Sequence, residues 1–161
     1  DAGVDGQFLA WLGQFQYVWR LPRSENLLVF RVAGQAANDS LPSLEQFAVG
    51  GMDTVRGYEE NQLVRDNAFA ASLEYRHSLW QRGGMSILEL APFVDVGGGK
   101  DNHSFGTSEG DILSSVGIGV LFHPNEHFSA TIYYAYPFKD FGQTSDLQDI
   151  AIHFDIIFQL F

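Results

Sequence analysis

The 161-residue sequence contains no Cys, 5 Pro, and 9 Lys plus Arg against 20 Asp plus Glu. Without Cys there is no disulfide framework, no thiolate zinc site and no thiol catalysis, although the compartment stays open. Few cations and a formal net charge of -11 argue against a nucleic-acid partner, which needs clustered Lys and Arg. Long apolar runs are also missing. The longest stretches without Asp, Glu, Lys or Arg are Gly6–Trp19 and Ile112–Asn125, 14 residues each. A membrane helix needs ~20, so a helical membrane protein is excluded. A membrane barrel is not, because alternating strands average to a neutral hydropathy, here -0.06. The phosphate-loop Gly-Lys-Ser/Thr is absent. Neither a starting Met nor a signal peptide is present, which suggests a mature product or a piece of something longer.

Aromatic residues and β-formers dominate instead, with 14 Phe, 6 Tyr and 3 Trp. Alternation predicts seven strands: Gln7–Leu21, Asn26–Ala36, Asn67–Trp80, Met85–Gly97, Ile112–Phe122, Phe128–Phe138 and Asp149–Phe161. In the third, Phe69, Leu73, Tyr75 and Leu79 stand opposite Ser72, Glu74 and Arg76. In the fourth, Leu88, Leu90, Val94 and Val96 oppose Glu89 and Asp95. In the seventh, Ile150, Ile152, Phe154, Ile156, Phe158 and Leu160 oppose Asp149, His153, Asp155 and Gln159. Pro22–Glu25, Gln81–Gly84 and His123–His127 read as short turns. Asn38–Asp66, Gly98–Asp111 and Lys139–Gln148 read as long loops. Short turns at one end and long loops at the other describe an outer-membrane barrel.

The fold class expected is therefore all-β, an antiparallel transmembrane β-barrel with one domain, or a fragment of one, over residues 1–161. An Arg on a barrel's lipid face costs ~2–4 kcal/mol at the bilayer midplane, so the charged parity should face the lumen and the apolar parity lipid. Arg20, Arg31, Glu74, Arg76, Glu89, Asp95, Asp149 and Asp155 all fall on the lumen parity. A Gln81–Gly84 turn would set residues summing to about 165 opposite each other. Arg76 and Glu89 would then form a cross-strand salt bridge. Seven strands is odd, whereas bacterial barrels close on even numbers, which points to a fragment.

The loop 38–66 holds Phe47-Ala-Val-Gly50-Gly51-Met-Asp-Thr54-Val55-Arg56-Gly57-Tyr58. An Arg carried into a lumen lined by Glu74 and Asp95 would gain charge-assisted, bidentate hydrogen bonds. Gly50, Gly51 and Gly57 would permit tight turns, and Tyr58 could pack its ring while satisfying its hydroxyl. The stretch resembles the loop motif of the outer-membrane superfamily of BamA-type insertases and two-partner secretion transporters (TpsB, hemolysin-activator type). Downstream, Ala71–Arg76, Ala91-Pro92-Phe93-Val94-Asp95-Val96-Gly97, Ser115–Gly119 and Tyr134-Ala135-Tyr136-Pro137 resemble its later strands in order.

The resemblance implies a sixteen-stranded barrel, with this chain holding strands ten to sixteen and the long loop tucked into the lumen. It implies that Arg56 meets the Asp of the Phe-x-Asp-x-Gly strand. Asp95 ranks first and Glu74 second, about four residues lower in register. It also implies a C-terminal strand signal, for which Phe158 and Phe161 are the candidates. The partners implied are the lipid bilayer, an unfolded secreted or outer-membrane protein substrate, the missing N-terminal strands and periplasmic POTRA domains. The place implied is the outer membrane of a Gram-negative bacterium or an organelle derived from one.

The function expected is passage of an unfolded secreted partner. A BamA-type insertase, the barrel of an autotransporter, and a small ligand-binding or structural barrel are the alternatives. Compact spacing from Tyr58 to Ala71 favours secretion. No enzyme activity, cofactor or metal is expected. Glu74, Glu89 and Asp95 could form an acid–base set, but Arg56 and Arg76 nearby favour ion-paired carboxylates. His123 and His127 flank Pro124 in a turn, a poor metal site. The inward Gly117 and Gly119 would leave space for the tucked loop or a bend.

Overall fold

The computed structural model describes residues 8–102, 111–139 and 152–159. Among them there is no helix. The strands are β1 (Ala10–Arg20), β2 (Leu27–Ala37), β3 (Phe47–Val49), β4 (Leu63–Arg65), β5 (Asn67–Arg82), β6 (Met85–Lys100), β7 (Asp111–Asn125), β8 (Phe128–Pro137) and β9 (Ile152–Phe158). Seven of them form one antiparallel meander in the order β1-β2-β5-β6-β7-β8-β9. The short β3 and β4 form a separate hairpin inside the 38–66 loop, with Phe47 opposite Arg65 and Val49 opposite Leu63.

The pairing carries one apolar face unbroken across the sheet. One row runs Phe30, Leu73, Val94, Val116 and Tyr136 from β2 to β8. Another runs Leu90, Val120, Ile132 and Phe154 from β6 to β9. Phe15, Phe30, Leu73, Val94, Val116, Ile132 and Phe154 are all exposed on this face. Those charges of the lumen parity that fall within the described residues sit on the other face, toward which the 38–66 loop folds. Period-two alternation thus divides the sheet into an apolar outside and a polar inside that receives the loop.

The β5–β6 turn consists of Gly83 and Gly84 alone, with φ of 61° and 79°. Both positive values suit the tight two-residue hairpin that matches strand twist. Arg82 pairs with Met85 across it, and a local irregularity beside Trp80 leaves no net shift. The strand bodies therefore pair Ser72 with Asp95, Glu74 with Phe93 and Ser78 with Glu89. The faces agree with the register expected from sequence, but the pairing is displaced by two residues. Arg76 consequently does not meet Glu89, which corrects the cross-strand pair. Its Nε donates to Glu74 Oε1 at 2.7 Å on its own strand. The same displacement puts Glu74 two residues from Asp95 in register, not four.

Candidate functional site: the loop tip against the sheet

The loop enters from β2 and returns through β4 directly into β5. Between β3 and β4 its tip lies on the polar face. Gly50, Gly51 and Gly57 have φ of 119°, 93° and 90°, which L side chains rarely adopt. Thr54 braces the turn: its hydroxyl accepts from Gly50 N at 2.8 Å and donates to Gly50 O at 3.0 Å. An apolar cluster of Val49, Val55, Tyr58, Leu63, Ala68 and Leu113 seats the tip, with Val49 and Val55 fully buried. Gly97 of β6 makes room for it. A Cβ there would stand 2.7 Å from Val49 Cγ1 and 2.9 Å from Val55 Cγ2.

Arg56 is 1% exposed and faces two fully buried carboxylates. Its Nε donates to Asp95 Oδ2 at 2.7 Å, and its Nη2 to Asp95 Oδ1 at 2.8 Å. This is a two-pronged pair, and the Arg56 backbone N–H adds a third donor to Asp95 Oδ2 at 3.1 Å. Nη1 donates to Glu74 Oε2, and Nη2 also reaches Ser72 Oγ at 3.0 Å. Phe93 lies under the guanidinium, 3.5 Å from Cζ to the ring centroid, and Tyr133 flanks it at 4.6 Å. Burial disfavours the Arg56 cation, but hydrogen bonds and charge from Asp95 and then Glu74 outweigh it. Its pKa stands above the ordinary arginine value.

The neighbouring residues complete the seat. Tyr58 donates its hydroxyl to Ser114 O at 2.9 Å and accepts from Lys139 N at 3.1 Å. Gly57 N donates to Nε2 of His153 on β9 at 3.1 Å. Glu74 is also held by Arg76 and lies 3.7 Å from Arg31 Nη2. The tip therefore touches β5, β6, β7, β8 and β9 within three residues.

Several of these residues escape sequence reasoning. Ser72, Phe93, Tyr133 and His153 all point inward, but only a correct register puts them at one spot. Gly117 and Gly119 hold aromatic rings and not the loop. Cβ atoms there would stand 2.4 Å from the Phe93 ring and 2.3 Å from the Tyr133 ring. A second network ties the loop's base. Buried Asp66 accepts from Leu41 N, Gln46 Nε2 and Asn102 N, each at 2.9 Å. Asn102 Nδ2 then donates to the carbonyls of Ala37 and Asp39. Glu89 is buried opposite Ser78. Phe158 sits on the apolar face, exposed, whereas Phe161 lies outside the described residues. Among the described residues there is no cluster of His, Asp and Glu suited to a metal ion.

Family comparison decides the class. The model of the Omp85 superfamily domain matches residues 2–156. The chain belongs to the Omp85 superfamily. Comparison with curated proteins finds no match. Omp85 proteins reside in the outer membranes of Gram-negative bacteria and derived organelles, and they translocate or insert other proteins there. The exposed apolar face of this Omp85 sheet is suited to lipid, and its polar face to the interior of a barrel.

Proposed function

We propose that this chain supplies the C-terminal strands of a sixteen-stranded two-partner secretion transporter, of the hemolysin-activator type. In this reading the polar face lines a pore through which an unfolded partner protein passes, and the loop tip narrows that pore. Arg56 is the lock, Asp95 its principal partner and Glu74 its second. The remaining strands and POTRA domains would come from sequence outside this chain. The barrel is a passive, non-catalytic conduit without cofactor or metal, in the outer membrane.

The observation that carries the reading is the buried Arg56 on Asp95 and Glu74. A loop whose tip arginine is desolvated against the wall is held inward, because leaving one partner of such a buried pair alone costs ~3–5 kcal/mol. Such a contact gives a pore a closed position that substrate must compete with. The compact return from Tyr58 to β5 at Asn67 supports secretion over insertion.

The test is removal of the full-length protein from its host. Loss of one secreted partner from the medium, with other outer-membrane barrels at normal levels, is the result expected. A general fall in folded outer-membrane barrels would refute secretion and assign insertion. No change in either would refute both.

A further inference from the structure

The Gly57–His153 contact has a property that the other tip contacts lack. A backbone N–H can only donate, so His153 Nε2 must be an unprotonated acceptor. The ring is then neutral, with its proton on Nδ1. His153 belongs to β9, whose described pairing is with β8 alone, from Tyr133–His153 to Phe128–Phe158. The tip thus reaches past β8 to grip the last strand of the sheet.

We propose that His153 is a positioning residue that couples the loop tip to β9, and that acid uncouples them. Protonating Nε2 removes the acceptor and sets an N–H against the Gly57 N–H. It also adds a cation beside Arg56. The bond is therefore present at neutral pH and lost as pH falls through the ring's titration in the folded barrel.

Groups facing the ring come from every side. Arg56 and Glu60 approach from the loop, Asp95 from β6, Tyr133 from β8, and Asp155 lies on β9 itself. Gly57 has little freedom to compensate. Its φ is 90°, and a Cβ would stand 2.9 Å from Ala135 Cβ. The coupling does not depend on whether the barrel secretes or inserts.

The experiment is hydrogen exchange on the full-length protein in detergent or lipid, at pH 7.5 and pH 4.5, corrected for intrinsic rates. Its readouts are the amides of the tip around Gly57 and those of β9. His153→Gln is the decisive variant, because its amide oxygen reaches the position of Nε2 and accepts at both pH values. One neutral hydrogen bond predicts about fivefold faster exchange on its loss. Wild type should lose that protection at pH 4.5, H153Q should keep it, and H153A should lack it at both. An identical pH response in wild type and H153Q overturns the proposal, as does full tip protection in a folded H153A. If H153A does not fold, the comparison of wild type with H153Q still decides.

Discussion

Replacing Arg56 by Ala tests the lock directly. The change removes the three side-chain bonds to Asp95 and Glu74 and the one to Ser72. It does not strip the two carboxylates equally. Glu74 keeps Arg76 at 2.7 Å, whereas Asp95 is left with the backbone N–H of residue 56. Removing one partner of a buried ion pair costs ~3–5 kcal/mol, and the retained Arg76 argues for the lower end. The barrel need not unfold to relieve this. The tip can leave, and water can reach Asp95. About 3 kcal/mol shifts that equilibrium roughly 100-fold toward release.

These 161 residues contain no native Cys, so a thiol introduced here has no competitor among them. Val55 is fully buried, so a V55C thiol should react with a membrane-impermeant reagent only after the tip departs. Adding R56A should speed labelling roughly 100-fold, while heat-modifiable gel mobility shows the barrel still folded. Unchanged labelling in a folded R56A barrel would refute the idea that this arginine holds the loop.

Other perturbations separate the parts. D95N should accelerate V55C labelling nearly as much as R56A, and E74Q should do so less, because Arg76 and Arg31 already serve Glu74; the reverse order would show that Glu74 is the main anchor. Gly57→Ala combines a φ of 90° with a Cβ 2.9 Å from Ala135, strain of about 1–3 kcal/mol, and should raise labelling roughly five- to a hundredfold. Asp66→Ala strands two backbone donors, Leu41 N and Asn102 N, at ~1–3 kcal/mol each. Limited proteolysis should then nick residues 38–46 earlier, while V55C labelling stays slow. Equal effects at base and tip would show the loop moving as one body.

Strands and faces were legible because alternation is local. Leu73, Val94 and Phe154 declare their face by their neighbours alone, whatever they pair with. Register is not local. The turn is Gly83 and Gly84 alone, so Arg82 pairs with Met85, which displaces the pairing by two residues from that of a Gln81–Gly84 turn; alternation cannot register this, since two residues restore the same face. That shift separates Arg76 from Glu89 and brings Glu74 near Asp95. The candidate site inherits the same division. Arg56 and Asp95 stand out as charges inside otherwise apolar or glycine-rich stretches. Ser72, Tyr133 and His153 are ordinary inward residues until pairing sets them around one guanidinium. The β3–β4 hairpin is too short, at three residues a strand, for periodicity to reveal.

The wall beneath the tip is built to survive the tip's departure. With the loop seated, Arg56, Arg76 and Arg31 surround Glu74 and Asp95, three cations against two anions. With the loop withdrawn, Arg76 and Arg31 remain against the same two carboxylates, and the charges balance. Balance in number is not balance in geometry, because both remaining arginines serve Glu74. Asp95 is the group that loses its partners, and hydration must replace three donors there. Phe93 and Tyr133 lose their cation at the same time, while the glycines behind them keep the rings in place. Withdrawal is thus opposed chiefly at one carboxylate and two rings, and the sheet's own pairing does not depend on it. A loop anchored at its base through Asp66 and at its tip through Asp95 can release the second anchor and keep the first. That division would let a strong contact still act as the gate proposed above.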